Sequence, residues 1–196
     1  MKPNKKILLI ITGGIAAYKS LDVIRGLKDR GHDITCVLTK SGSEFVTPLS
    51  LESLSGNKVY SDLFNLNDEH EMGHIQLSRS ADLILVAPAT ANIISKIAYG
   101  VCDDLASTIL MATNKPVLIA PSMNVRMWLN NATQRNINTL KSDGINFIGP
   151  DTGSMACGEY GEGRMSEPDE IVKYTIDFIE KINFYPLKNY SALITS

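Results

Sequence analysis

Short apolar runs rich in β-branched residues recur along this 196-residue chain, and each is followed by a turn and then by a segment with helical periodicity. The runs cover residues 6–12, 33–38, 81–87, 116–120 and 146–148. Strands that are apolar throughout are typical of parallel sheets, because helices cover both faces of such sheets. The alternation therefore predicts an α/β fold with parallel strands.

Helical segments fit between these strands. Ala17, Leu21, Ile24 and Leu27 fall on one helical face, and Gly31 follows as a stop, so the first two strands and this helix form a right-handed βαβ unit. Further helices are predicted at residues 93–99, 105–111, 132–140 and 168–182, the last beginning at a proline, where proline is tolerated. The whole predicts a flavodoxin-like, doubly wound parallel sheet in a Rossmann-like three-layer αβα arrangement.

Three segments do not fit the sheet. The polar residues 65–72 and the glycine-rich residues 149–165 are long irregular stretches, which in compact domains are functional or mobile. Residues 183–196 are typical of a linker followed by a strand, and a lone strand cannot bury both faces. We therefore expect one domain over residues 1–182 and a tail that belongs with something else.

Composition excludes several classes of function. A net charge of −2 without a Lys/Arg cluster argues against a nucleic-acid partner. The apolar run at residues 7–11 is too short for a membrane span or a signal sequence, so we expect a cytoplasmic protein without a membrane partner. Three cysteines without CxxC or Cys/His spacing suggest neither disulfides nor a metal site.

The turn after the first strand contains Gly13 and Gly14 and opens a helix, where backbone N–H groups and the helix dipole favour an anion. A tight turn selected only for its backbone angles is the alternative. The turn does not complete GxGxxG, and the second strand ends at Thr39 and Ser41 instead of an acidic ribose ligand, so a nicotinamide dinucleotide is disfavoured. The predicted strand at 81–87 is followed by Thr90, Ala91 and Asn92 at the same edge. Together these three turns favour a mononucleotide such as FMN.

Other polar residues are candidates for chemistry. Asn124 follows the predicted strand at 116–120 and could cap the next helix, and Trp128 could be core. Of the histidines, His32 and His70 are expected to be solvated. His74 is the best available general base, although a structural histidine is the alternative.

The cysteines differ in their surroundings. Cys36 lies in an apolar strand and is expected in the core, and Cys102 is expected to pack at a helix start. Cys157 lies in the glycine-rich segment, which has no periodicity that would bury a thiol. This segment is interpreted as a flap that closes over a ligand.

Four motifs together resemble the phosphopantothenoylcysteine decarboxylases, the homo-oligomeric flavin-containing cysteine decarboxylases, and they occur in that family's order. They are residues 13–19, 88–92, 121–124 with 127–128, and 156–158, and the resemblance covers residues 5–182. It implies a carboxy-lyase that converts 4'-phosphopantothenoylcysteine to 4'-phosphopantetheine with FMN in coenzyme A biosynthesis. Residues 183–196 resemble the linker and first strand of a phosphopantothenate-cysteine ligase domain.

The resemblance also implies a role for individual residues. The implied catalytic residues are His74 as base or electrostatic helper, Asn124 as carboxylate ligand and Cys157 as proton donor. The implied FMN contacts are Gly13, Gly14, Ile15, Thr39, Ser41, Thr90, Ala91, Asn92 and Ser122, the last where the family commonly has alanine. The implied substrate contacts are Asn124, Ala156, Cys157 and Met165. Family members are trimers, or dodecamers of trimers, with sites shared between subunits.

The implied reaction oxidises the substrate thiol to a thioaldehyde, so that CO2 loss leaves an enethiolate that is then protonated and reduced. Three alternatives remain. An oxidative peptidyl-cysteine decarboxylase of the lantibiotic type would lack the flap cysteine, whereas Cys157 is present here. A non-enzymatic flavoprotein regulator would carry long acidic extensions, and a nicotinamide reductase would need the missing acidic ribose ligand.

Overall fold

A computed structural model describes residues 4–63 and 73–184. Its main sheet has six parallel strands in the order β3-β2-β1-β4-β5-β6. These strands are β1 Lys6–Ile11, β2 Asp33–Leu38, β3 Val59–Tyr60, β4 Leu83–Ala89, β5 Val117–Pro121 and β6 Asn146–Phe147. The helices are α1 Lys19–Lys28, α2 Pro48–Ser55, α3 Gly73–Ser80, α4 Ala91–Tyr99, α5 Leu105–Ala112, α6 Val125–Trp128, α7 Asn131–Ser142 and α8 Pro168–Phe184.

The sheet separates two hydrophobic cores. In β1, Ile7, Leu9 and Ile11 face one core while Leu8 and Ile10 face the other, as side-chain alternation along a strand requires. Helices α1, α2 and α8 cover the first core, and α3, α4, α5 and α7 cover the second. Burying each of these aliphatic side chains contributes about 1.5–3 kcal/mol to folding. The prediction of a doubly wound α/β sheet is confirmed.

The strand order reverses at β1, which pairs with β2 on one side and with β4 on the other. The chain therefore leaves β1 and β4 in opposite directions, and a crevice opens between the turns that follow them. A buried hydroxyl bridges this crevice: Thr12 Oγ1 donates to Pro88 O at 2.7 Å and accepts from Thr90 N at 3.2 Å. The Thr12 hydroxyl thus holds the turn after β1 and the turn after β4 in one arrangement.

The glycine-rich segment was expected to be irregular, and this expectation is wrong. It forms an antiparallel hairpin of β7 Asp151–Ser154 and β8 Tyr160–Arg164, which form a two-stranded sheet of their own. Met123 N donates to Gly163 O at 2.9 Å and joins the hairpin to the end of β5. The two segments approach so closely that a Cβ on Gly163, whose φ is 127°, would lie 2.5 Å from Met123 O.

The predicted strands and helices are otherwise present, with ends that differ by at most about two residues. Strand β3 and helix α2 were not predicted. Helix α8 begins at Pro168 as predicted and continues through Phe184, two residues beyond its predicted end. The polar stretch 65–72 lies outside the described residues. The predicted linker and strand at 183–196 also lie outside them, except for residues 183 and 184, which belong to α8.

Candidate functional site

Two neighbouring cavities lie at the carboxyl edge of the sheet. The larger has a volume of about 700 Å³, and the smaller has a volume of about 390 Å³. Thr90 lines both, so the cavities meet at the turn after β4. In open α/β sheets, ligands bind at this edge beside the switch point. The two cavities are therefore the first place to look for a cofactor and a substrate.

The glycine turn after β1 forms one wall of the larger cavity. Gly14 has a φ of 129°, which disfavours any residue with a Cβ, and a Cβ there would meet only Thr90 Cγ2, at 3.9 Å. The missing side chain therefore leaves open space that a ligand can fill. Gly13 fits closely for another reason, because a Cβ on it would lie 2.7 Å from Ser41 Cβ. The turn after β1 and the turn after β2 thus touch through Gly13.

Residues from four turns line the cavities: the three turns expected to form a mononucleotide site, and the turn after β5, which contributes Ser122. The larger cavity is lined by Gly13, Gly14, Ile15, Thr90, Ala91 and Ser122, and the smaller by Thr39, Ser41, Thr90 and Asn92. Backbone amides and hydroxyls predominate among them, and these groups suit the phosphate and polyol parts of a mononucleotide. The residues present fit FMN in this respect.

A charged group borders the smaller cavity. Lys96 Nζ lies 2.6 Å from Asp103 Oδ1 and 2.8 Å from Asp104 Oδ2. Burial alone would lower the pKa of Lys96, but its hydrogen bonds to the two carboxylates outweigh burial and raise that pKa. Burial likewise works against ionisation of Asp104, whose pKa is nevertheless lowered by bonds from Lys96 and Ser107. The ammonium group of Lys96 is therefore already neutralised by two carboxylates, and Lys40 is a second lysine among the residues that line this cavity.

Asn124 caps helix α6 and also lines the larger cavity. Its Oδ1 accepts a hydrogen bond from Met127 N at 2.8 Å, which satisfies an N–H group of the first helical turn. The predicted capping role is confirmed. Because the oxygen is committed to the cap, the amide presents Nδ2–H donors to a ligand. Such donors suit a carboxylate.

The hairpin forms another part of the wall of the larger cavity. Ala156 and Cys157 lie in the turn between β7 and β8, and both are exposed. Cys157 Sγ lies 3.8 Å from Glu159 Oε2. Met165 follows β8 and is buried, with 1% of its surface exposed. Asn124, Ala156, Cys157 and Met165 therefore line one cavity, and their role as substrate contacts stays a prediction.

Lys19 is a cavity residue to which sequence reasoning gave no role. Its side chain is 7% exposed, and its Nζ donates to Met165 O at 3.1 Å and pairs with Glu167 Oε1 at 3.0 Å. The hydrogen bond from Lys19 is the main reason that the pKa of Glu167 is lowered. Its position inside the motif of residues 13–19 is visible in the sequence. Its burial depends on a partner 148 positions later in the chain.

His74 is not among the residues that line either cavity. It lies half-buried in the first turn of α3, which packs against α5 on the other side of the sheet from α1. A single copy of the chain, over the part described, therefore does not bring His74 to Asn124 and Cys157.

Four further residues differ in how deeply they are buried. Cys36 is fully buried as predicted, and burial raises the pKa of its thiol to about 12. Cys102 was expected to pack at the start of α5, but it is exposed. The residue that caps this helix is Asp104. His32 was expected to be solvated, but it is 8% exposed beneath the turn after α1. Trp128 packs partly against the core and donates from Nε1 to Glu162 Oε2 at 3.0 Å, so it helps hold the hairpin.

Comparison with known proteins agrees with this geometry. A family model described as Flavoprotein matches residues 1–180. The coenzyme A biosynthesis bifunctional protein CoaBC of Vibrio vulnificus (strain YJ016) is 47% identical over 193 residues, which are 98% of this chain and 47% of that protein. The chain spans about half the length of the curated relatives it matches.

Solved structures are similar over most of the chain. A PPC decarboxylase mutant complexed with pantothenoylaminoethenethiol has a TM-score of 0.81 and 33% identity, covering 91% of this chain and all (100%) of that one. The FMN binding protein AtHal3 has a TM-score of 0.80 and 34% identity, covering 91% of this chain and 98% of that one. Among the residues that the structure describes, no helix is long and apolar enough to cross a membrane.

Proposed function

This chain belongs to the flavoprotein family, and on that premise we propose that it binds FMN and decarboxylates 4'-phosphopantothenoylcysteine to 4'-phosphopantetheine, a carboxy-lyase step of coenzyme A biosynthesis. The observation that carries the proposal is the larger cavity. A ligand-sized space there is lined by the glycine turn, by Asn124 and by the hairpin cysteine. Relatives that carry out coenzyme A biosynthesis or PPC decarboxylation support the same reaction.

FMN would lie across the two cavities at the switch point. The residues proposed to hold it are Gly13, Gly14, Ile15, Thr39, Ser41, Thr90, Ala91, Asn92 and Ser122. The hydroxyl bridge of Thr12 supports this role, because it fixes the spacing of two of the turns before any ligand binds. When bound, FMN supplies a reversible hydride acceptor, so that the substrate thiol can be oxidised and the product reduced without net redox change.

The protein's own residues position the substrate and move a proton. Asn124 Nδ2 would donate to the substrate carboxylate, since its Oδ1 is held by Met127 N. Cys157 Sγ would deliver a proton to the carbon atom that loses CO2, from the exposed turn of the hairpin. The hairpin would also exclude water from the enethiolate until that proton arrives.

His74 is proposed to act on a cavity of another copy of the chain. Its absence from the cavity lining in one copy supports this proposal, and so does the resemblance to trimers and dodecamers of trimers with shared sites. We further propose that the homo-oligomer acts in the cytoplasm. Residues 183–196 would lead into a phosphopantothenate-cysteine ligase domain, in line with relatives about twice as long as this chain.

The second candidate is an oxidative peptidyl-cysteine decarboxylase, which would release the enethiol instead of protonating it. Cys157 in the cavity wall favours the first candidate, because it supplies the proton donor that an enethiol-forming enzyme does not use. A non-enzymatic flavin-binding regulator would need none of these groups.

The direct test is mass spectrometry of the purified protein incubated with FMN and 4'-phosphopantothenoylcysteine. We expect 4'-phosphopantetheine, the substrate less CO2. A product lacking two further hydrogens would identify the oxidative enzyme instead. Unchanged substrate in the presence of bound flavin would contradict both enzymatic proposals.

A further inference from the structure

Lys19 begins helix α1 directly after the glycine turn and its short 3₁₀ helix, Ile15–Tyr18. Its side chain is 7% exposed, which is unusual for a lysine, and it lines the larger cavity. A buried ammonium group is costly unless it is paired and hydrogen-bonded. The partners of Lys19 therefore indicate what the chain needs at this position.

Both partners come from the short connection between the hairpin and α8. Nζ donates to Met165 O at 3.1 Å, one residue after β8, and pairs with Glu167 Oε1 at 3.0 Å, one residue before α8. Glu167 also accepts a hydrogen bond from Arg164 Nη2, at the end of β8. One carboxylate thus joins the start of α1 to the last residue of the hairpin.

The hairpin is consequently held on two sides. Near β5 it is joined by Met123 N and Gly163 O, beside Asn124. Near α1 it is joined by Lys19, which follows the glycine turn within one short helix. The second connection joins the proposed flavin wall to the proposed substrate wall, and both Lys19 and Met165 line the larger cavity.

We propose that Lys19 is a positioning residue that sets the distance between the glycine turn and the hairpin, and thereby places substrate against cofactor. The inference rests on the proposed function. Two of the three Nζ–H donors of Lys19 are used in the hairpin connection, so the proposal assigns it no role in holding the flavin by itself. It acts on substrate affinity and on the first chemical step through the position of Met165 and the hairpin.

The test compares Lys19→Met, which keeps the length of the side chain, with the wild type and with Asp82→Asn. Asp82 pairs with Lys5 at 3.8 Å and accepts from Lys6 N at 2.8 Å, so it is an ion pair at the opposite edge of the same sheet. Lys19→Met should raise KM for 4'-phosphopantothenoylcysteine about 10- to 100-fold, the loss typical of a hydrogen-bonded charge. It should also slow anaerobic bleaching of the flavin by substrate. The Kd for FMN, from fluorescence titration, should stay within about 3-fold, less than one such bond.

Hydrogen exchange gives a readout without turnover. In the flavin-free protein, Lys19→Met should raise exchange across residues 151–164, while Asp82→Asn should not. Glu167→Gln should move KM and exchange in the same direction but less, because an amide oxygen still accepts from Lys19. That variant carries the test if Lys19→Met does not fold. Lys19→Arg, which keeps the charge and a donor, should recover part of the lost affinity.

Unchanged KM and unchanged hairpin exchange in Lys19→Met would overturn the proposal. It would also be overturned if FMN affinity fell as much as substrate affinity, since Lys19 would then act on the cofactor. A wild-type protein that makes no phosphopantetheine would instead sink the proposed function, so the two failures are distinguishable.

Discussion

The two walls of the larger cavity are built differently. The wall at the sheet edge follows β1 and β4, where five of six and all seven residues are buried. The hairpin wall has mostly exposed residues, and it is held by close glycine contacts and a few side chains. A wall that is part of the core moves only if the protein unfolds, whereas a thin hairpin can open locally. In the proposed arrangement, the cofactor and the substrate are therefore held by parts of the protein that differ in stability.

Asn124→Asp should separate the two walls most sharply. The aspartate still caps α6, but it places a second anion against the substrate carboxylate, so kcat/KM should fall by about 100-fold or more. FMN affinity should be unchanged. Asn130→Asp is the matched control, because Asn130 Oδ1 caps α7 by accepting from Ala132 N at 2.9 Å and lies outside the cavity lining. Normal substrate affinity in Asn124→Asp would remove this residue from the carboxylate role.

Gly163→Ala should loosen the hairpin wall alone. The new Cβ would meet Met123 O at 2.5 Å and force β8 away from the end of β5, so KM should rise by roughly 10-fold, equivalent to the strain expected for such a site. Gly158→Ala is the control, because Gly158 also has a positive φ, of 84°, but a Cβ there meets nothing within 4 Å. Equal effects of the two variants would mean that backbone strain, and not hairpin docking, matters.

Thr12→Val should weaken the sheet-edge wall. Losing the bridge from Pro88 O to Thr90 N should lower the free energy of unfolding by about 1–3 kcal/mol and weaken FMN binding several-fold. Thr175→Val also removes a buried hydroxyl, which donates to Ile171 O at 2.7 Å inside α8. Thermal melts and flavin titrations should show destabilisation in both variants but weaker flavin binding only in Thr12→Val. A matched loss of flavin affinity in Thr175→Val would argue against a specific bridge.

Chemical labelling of the three cysteines should distinguish the buried sheet from the exposed hairpin without a mutation. Burial raises the pKa of Cys36 to about 12, so below that pH its sulfur stays a protonated thiol and is inert. Iodoacetamide at pH 8 should therefore label Cys102 and Cys157 in the native protein and leave Cys36 unmodified. Bound substrate should protect Cys157 and not Cys102. Peptide mapping of the labelled protein measures all three, and protection of Cys102 alone would contradict the assigned cavity.

The sheet-edge wall was predictable and the hairpin was not, for physical reasons. Buried parallel strands are apolar throughout, so β1, β2, β4 and β5 could be located from local sequence alone. The residues of their turns then meet because the topology forces them together. Strand β3 lies between the polar residues Lys58 and Ser61, so no apolar run marks it, whereas β6, which is equally short, is flanked by Ile145 and Ile148.

The hairpin carries the opposite signal. Gly153, Gly161 and Gly163 make its sequence a poor strand former, yet they are there because other atoms occupy the space of their side chains. Such contacts come from distant parts of the chain. For the same reason, the local sequence did not indicate the burial of Lys19, which depends on Glu167, or the surroundings of His32 and Cys102.

In the proposed mechanism, Cys157 of the hairpin supplies a proton after the substrate thiol has been oxidised and CO2 has left, and the variant Cys157→Ser tests this step. A serine hydroxyl is nearly isosteric but a much weaker acid than a thiol. Mixed anaerobically with 4'-phosphopantothenoylcysteine, the FMN-loaded variant should release CO2 and bleach, and its flavin should stay reduced while an enethiol accumulates. Reoxidation of the flavin with formation of 4'-phosphopantetheine at the wild-type rate would contradict the proton-donor role of Cys157.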